Sequence, residues 1–190
     1  VNDYCDRRSG LEPSIRNDAE FIERVAKHVR YRTGHDFSHY KEGTFLRRLA
    51  VRMSVLGIDK PRDYLKELID NKGEAGRLFR DLLINVTSFF RDAEAFEALR
   101  ENVVPKLVQA RETDEEIRVW VPGCSTGQEA YSIAILLAEE LGRVDSNRRV
   151  AVFGTDIDDE ALRLARRGVY PNSIAEEVSA EDLERYFRAT

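Results

Sequence analysis

Apolar positions recur at helical spacing through the first half of the chain. Phe21, Ile22, Val25 and Val29 fall on one stripe, and Gly34 supplies a stop. A second helical pattern runs from about Gly43 to Leu56 and ends at Gly57. A third starts near Pro61, a residue tolerated in a first turn, and carries Tyr64, Leu65, Leu68 and Ile69. The fourth, about Glu74 to Ile84, places Leu78, Phe79, Leu82 and Leu83 together. These stripes predict a small all-helical domain. Before them, residues 1–16 are polar and aperiodic, which predicts a tail or linker. After them, Asp92 is placed to cap a linking helix through Phe96, Leu99, Val103 and Leu107, with Pro105 as the point of a kink or break.

The period then changes. Ile117 to Val121 and Val150 to Thr155 are short β-branched runs that read as strands, separated by a helical stretch from Gln128 to Leu141. A helix carrying Ala161, Leu162 and Ala165 follows, and Ser179 opens a last one through Leu183, Tyr186 and Phe187. Strand, loop, helix, strand is the order of a parallel α/β unit. The expected fold class is therefore α/β: a small all-α N-terminal domain followed by the first half of a Rossmann-like domain. The expected boundaries are a tail at 1–16, the helical domain at 17–91, the linking helix at 92–112 and the α/β part at 113–190. Two strands are fewer than a doubly wound sheet needs, and their edge would seek a partner.

Composition narrows the class. The chain has 190 residues, 42% apolar and 34% charged, with a net charge of −5. This suits globular folding and, without a basic surplus, gives no support for nucleic-acid binding. No apolar run reaches membrane-spanning length, and no signal peptide is recognisable. Cys5 and Cys124 alone make a disulfide framework unexpected and point to a reducing cytoplasm. No cluster has metal-ligand spacing. One local exception to the acidic balance is the second helical pattern, where Arg47, Arg48 and Arg52 follow Lys41 with no acid between Gly43 and Leu56. Such a face can steer toward an acidic partner, or be a solvated face whose arginines pair elsewhere.

The segment from Ile117 to Ser132, IRVWVPGCSTGQEAYS, carries the candidate chemistry. A dinucleotide fingerprint needs glycine where Ser125 and Gln128 stand, and a P-loop needs a lysine that Gly127-Gln128-Glu129 does not supply. Glu129 in the first helical turn would repel a phosphate. Gly123-Cys124-Ser125-Thr126-Gly127 fits a hydrolase nucleophile elbow, but that needs a histidine after the serine, and His28, His35 and His39 all precede it. What remains is a loop for S-adenosylmethionine, which bears a sulfonium and no phosphate. Asp156, ending the second strand, is then placed to accept from ribose hydroxyls. Cys124 is read as a small packing residue in that loop.

Four blocks in order carry a closer likeness: Asn85 to Asp92 (NVTSFFRD), PGCSTGQEAYS, GTDIDDEAL and ARRGVYP. Together they resemble the CheR family of chemotaxis methyltransferases, from roughly Phe21 to the C-terminus. The resemblance implies methylation of glutamate side chains on the cytoplasmic helices of chemoreceptors, with S-adenosylmethionine as methyl donor and S-adenosylhomocysteine as product. It implies that Asn85, Thr87 and Arg91 lie on the cofactor and active-site face, that Gly123, Gly127, Glu129 and Asp156 contact the cofactor, and that Arg47, Arg48 and Arg52 face the receptor. Arg91 is the candidate catalytic group, since a guanidinium can orient a carboxylate acceptor. Phe89 and Phe90 are expected in an interdomain core rather than stacked on the adenine. The family continues past the point where this chain stops, with further strands and a β-subdomain. The expectation is therefore a fragment, inactive or weak by itself and open to self-association at its sheet edge. The competing reading is a receptor-docking or regulatory module with a vestigial methyltransferase half.

Overall fold

The structure, a computed structural model, describes residues 11–83, 85–109, 116–144 and 148–189. Cys5 and most of the expected tail, Ile84, and residues 110–112 of the expected linking helix lie outside the described residues. The chain divides into two compact units, Val1–Ile84 and Asn85–Thr190. The NVTSFFR segment, expected in the helical domain, thus belongs to the second unit.

The first unit is built from α1 (Ala19–Thr33), α2 (Glu42–Val55), α3 (Pro61–Asp70) and α4 (Glu74–Leu82). Asp18 caps α1 by accepting from the Phe21 N–H at 2.9 Å, and Gly34 ends it in the left-handed region at φ 80°. Pro61 sits in the first turn of α3, where its missing N–H leaves nothing unsatisfied. The stripes meet in one core that includes Val25, Leu49, Met53, Tyr64, Leu78 and Leu82. Each such aliphatic side chain contributes roughly 1.5–3 kcal/mol by leaving water.

The tail expected over 1–16 is corrected for its second part. Residues 11–16 are helical, and Leu11 and Ile15 are buried in the same core at 4% and 0% exposure. The two apolar residues are four apart and so share one helix face. Two such positions in a polar stretch do not make a period.

A charged knot closes this unit. Glu74 is fully buried at the start of α4, and Arg52 donates to its two carboxylate oxygens at 2.7 and 2.8 Å. The Tyr64 hydroxyl donates to Glu74 at 3.2 Å, and Arg77 approaches it at 3.6 Å. Burial by itself pushes the Glu74 carboxyl up, but Arg52, Tyr64 and Arg77 together hold it below its usual value.

The second unit runs α5 (Ala93–Asn102), α6 (Val104–Gln109), β1 (Ile117–Pro122), α7 (Gln128–Arg143), β2 (Val150–Thr155), α8 (Asp159–Arg167), a 3₁₀ turn (Asn172–Glu176) and α9 (Ala180–Tyr186). The linking helix is in fact two helices, divided at Val103. Asp92 caps the first by accepting from the Ala95 N–H. The break falls just before Pro105, whose ring would collide with a carbonyl four residues back.

β1 and β2 pair in parallel, from Ile117 against Val150 to Pro122 against Thr155. Ile117, Val119, Val150 and Val152 turn one face toward Val104, Val108, Leu136 and Leu137. On the other face Trp120 is 67% and Phe153 43% exposed, with the Arg118 guanidinium 4.9 Å over the Phe153 ring. Parallel sheets are ordinarily covered on both faces; among the described residues this one is covered on one. No helix of the described residues is long and apolar enough to cross a membrane.

Candidate functional site

The loop from β1 to α7 is shaped by three residues with positive φ: Gly123 at 68°, Ser125 at 48° and Gly127 at 98°. Glycine carries the first and third without cost. Ser125 is held in its strained region by its own N–H, which donates to Asp156 Oδ2 at 2.7 Å. The Cys124 N–H donates to the Thr155 carbonyl at 3.0 Å, fastening the loop to the end of β2. Tyr170, from the ARRGVYP block, donates its hydroxyl to the Thr126 carbonyl at 2.7 Å and lies edge-on to Phe89 and Tyr131.

Cys124 is 2% exposed and packs on Gly154, where an added Cβ would stand 2.9 Å from its sulfur and 3.2 Å from its Cβ. Burial pushes the thiol up, and the Asp156 and Glu129 charges push it further, so it stays neutral and unreactive at physiological pH. Gly154 was not among the residues singled out from the sequence, since a glycine inside a strand pattern signals close approach without naming the neighbour. Gly154→Ala is expected to lower the unfolding free energy by about 1–3 kcal/mol through overpacking. Adding Cys124→Ala removes the sulfur contact and should recover part of that loss in a denaturation double-mutant cycle.

Asp156 lies just past β2, half-buried. Its Oδ2 takes the Ser125 N–H and its Oδ1 takes the Asp158 N–H at 2.9 Å. Each carboxylate oxygen has two acceptor sites, so one on each remains for a ligand. The Ser125 hydroxyl is buried and has no hydrogen-bond partner. This spare hydrogen-bonding capacity, on a loop with no lysine or arginine in it, fits a hydroxyl-bearing and non-anionic ligand such as the adenosine end of S-adenosylmethionine. It does not fit a hydrolase: among the described residues the Ser125 hydroxyl engages no base.

Asn85 donates its side-chain N–H to Asp158 Oδ2 at 2.5 Å. Asp158 is 6% exposed and caps α8 by accepting from the Glu160 and Ala161 N–H groups. Arg91 is exposed and donates one guanidinium N–H to the Val86 carbonyl at 2.6 Å. With Asp92, Ala93, Glu94, Phe96 and Glu129 it lines an open cleft of about 530 Å³. The cleft thus brings together Arg91 and Glu129, a cation suited to a carboxylate and an anion suited to an ammonium. Thr87 lies between Asn85 and Arg91, half-buried.

Phe89 is 2% exposed, packed edge-on against Tyr170 and Phe187, and its N–H donates to Glu177 at 2.7 Å. Phe90 has a φ of 47°; its N–H donates to the Ser132 hydroxyl at 3.1 Å, which donates to the Gln128 carbonyl at 2.8 Å. These partners belong to the α/β unit. Ser132 and Glu177 hold Phe90 and Phe89 through backbone N–H groups distant in sequence, so no local pattern marked them.

Among the arginines expected to face a receptor, Arg47 is exposed and Arg48 partly exposed on α2. Arg52 is corrected: its guanidinium is engaged by Glu74 and approached by Asp81 at 3.5 Å. The acids it pairs with are on α4, outside the acid-free stretch that suggested a basic face.

Comparison with known proteins gives a family match for each of the two units. Residues 85–190 match the profile described as CheR methyltransferase, SAM binding domain, and residues 20–83 match CheR methyltransferase, all-alpha domain. The chain is 38% identical over 173 residues to the chemotaxis protein methyltransferase of Salmonella typhimurium, covering 90% of this chain and 57% of that protein. It is 35% identical to the Escherichia coli chemotaxis protein methyltransferase over the same shares. It is also 35% identical over 178 residues to an uncharacterized 104.1 kDa protein of Rhodobacter capsulatus, covering 94% of this chain and 18% of that protein. The chain therefore spans little more than half the length of the chemotaxis methyltransferases it matches.

Proposed function

The chain belongs to the CheR methyltransferase family, and on that premise we propose that the protein it represents methylates glutamate side chains of chemoreceptors. S-adenosylmethionine is the cofactor of the second unit. The observation that carries the site is the Asp156 carboxylate, fixed by the Ser125 and Asp158 N–H groups with an acceptor site left on each oxygen.

When bound, the cofactor supplies a methyl group made electrophilic by its sulfonium, with a neutral thioether as leaving group. A glutamate acceptor is already ionised near neutral pH, so the chain need provide no strong base. Its task is alignment and exclusion of water. In this reading Asp156 accepts from the ribose hydroxyls, and Glu129 meets the ammonium of the methionine end. Asn85, Thr87, Gly123 and Gly127 complete the cofactor face. Arg91 orients the incoming carboxylate while its bond to Val86 restrains the side chain. Arg47, exposed on α2, and Arg48, partly exposed beside it, contribute positive charge toward an acidic receptor surface. A cytoplasmic location follows from the same reading. The two-stranded sheet, with unpaired edges among the described residues, supports association of the isolated chain with itself.

Calorimetric titration with S-adenosylhomocysteine tests the cofactor assignment. Asp156→Ala is expected to weaken binding roughly ten- to a hundredfold, since hydrogen bonds to a charged group are worth about 1.5–3 kcal/mol each. Unchanged affinity in that variant would remove Asp156 from the site. A docking module with a vestigial site would show no titration in the parent chain or in a longer form.

A further inference from the structure

We infer that Asp158 is a positioning residue for the cofactor site: it fixes the side-chain amide of Asn85 so that Asn85 offers a hydrogen-bond acceptor, not a donor, to the ligand. The inference rests on the cofactor reading above and deepens it. Asn85 and Asp158 are far apart in sequence, yet their side chains meet at 2.5 Å. Asp158 is a carboxylate, which accepts and does not donate, so Asn85 must turn its N–H toward it. The amide oxygen then points away from Asp158 and is the end of the group left for a ligand.

Asp158 is itself immobilised. Its Oδ1 accepts the Glu160 and Ala161 N–H groups at the start of α8 at 2.9 and 3.3 Å, which leaves Oδ2 directed at Asn85. Its backbone N–H holds Asp156 Oδ1. One buried residue thereby sets the orientation of two candidate cofactor contacts brought from distant parts of the chain. The ligand group that Asn85 meets must be a donor, an ammonium or a hydroxyl. That polarity suits a ligand that presents protons and no phosphate at this loop.

An isosteric exchange separates this role from simple support of the helix. In Asp158→Asn the side-chain oxygen still caps α8, because asparagine is as good a cap as aspartate. Its amide nitrogen now faces Asn85, which must turn over to pair with it and so presents N–H to the ligand. Titration of the chain with S-adenosylhomocysteine is expected to show at least roughly tenfold weaker binding, the usual penalty when a site and a ligand oppose two donors. The thermal midpoint should stay near that of the parent. The reciprocal pair Asn85→Asp with Asp158→Asn restores an outward acceptor and should recover most of the lost affinity.

Three outcomes overturn the inference. If Asp158→Asn binds like the parent while Asp156→Ala does not, the cofactor reading stands and the role of Asp158 fails. If the single variant is weak and the reciprocal pair does not recover, the loss is one of structure. If neither the parent chain nor a longer form spanning the full length of its relatives binds, the cofactor reading fails and carries this inference with it.

Discussion

Replacing Glu74 by alanine is expected to destabilise the helical unit by about 3–5 kcal/mol, the cost of leaving one partner of a buried ion pair unpaired. Glu74 has no exposure, and its partner Arg52 has a side chain only 14% exposed. The Tyr64 hydroxyl loses its acceptor in the same step. Tyr64 cannot compensate by ionising, because burial, the larger cause of its raised phenol, persists in the variant. At roughly 4–8 °C per kcal/mol for a domain of this size, the midpoint should fall by tens of degrees. Arg47→Ala, on the exposed side of α2, should stay within about 0.5 kcal/mol of the parent. Chemical denaturation followed by circular dichroism checks both, and equal midpoints for the two variants would show that the knot contributes nothing.

The same knot sets a pH dependence. The folded-state carboxyl of Glu74 is held below its ordinary value of 4.5. Its contribution is therefore complete above that value and is lost as the pH falls through the lower folded value. Denaturation midpoints measured across this acidic range should fall more steeply in the parent than in Glu74→Gln, which has no proton to bind.

Gly127→Ala is the second large effect. The φ of 98° is strained for any residue with a Cβ, and the added carbon would stand 3.0 Å from Ala165 Cβ, 3.0 Å from the Tyr170 hydroxyl and 3.2 Å from Ala165 Cα. Backbone strain of about 1–3 kcal/mol adds to overpacking of a similar size. α8 cannot yield without moving Asp158, its cap, and the Tyr170 hydroxyl cannot yield without releasing Thr126. The variant should thus lose thermal stability and S-adenosylhomocysteine binding together. Retention of both would mean that the loop tolerates a different path, and that Gly127 is not what permits the contact between α7 and α8.

How much of this was legible in the letters follows from how far each cause reaches along the chain. The helices α1 to α4 were legible because apolar spacing, Pro61 and Gly34 act within a turn or two. β1 and β2 were legible because β-branched runs and a parallel crossover have a short description. The composition of the loop, two glycines with Ser125 and no cation, pointed to the ligand class without any tertiary contact. By contrast Leu11 and Ile15 gave no period, and only the core of the helical unit explains their burial. The Arg52–Glu74 pair crosses 22 residues, so α2 looked like a basic face when one of its arginines already had a partner. The left-handed Phe90 depends on Ser132, 42 residues away, and no rule of local conformation would place it there.

The sequence by itself determined the two-part architecture, the strand–loop–helix–strand order, the family and the carboxylate at the end of β2, because these rest on periodicity and on short motifs. Only the tertiary structure decided which polar groups meet: Asn85 with Asp158 and Ser125 with Asp156 on the candidate site, Arg52 with Glu74 away from it. Those choices depend on directional bonds a few ångströms long between residues distant in the chain, which no spacing rule encodes.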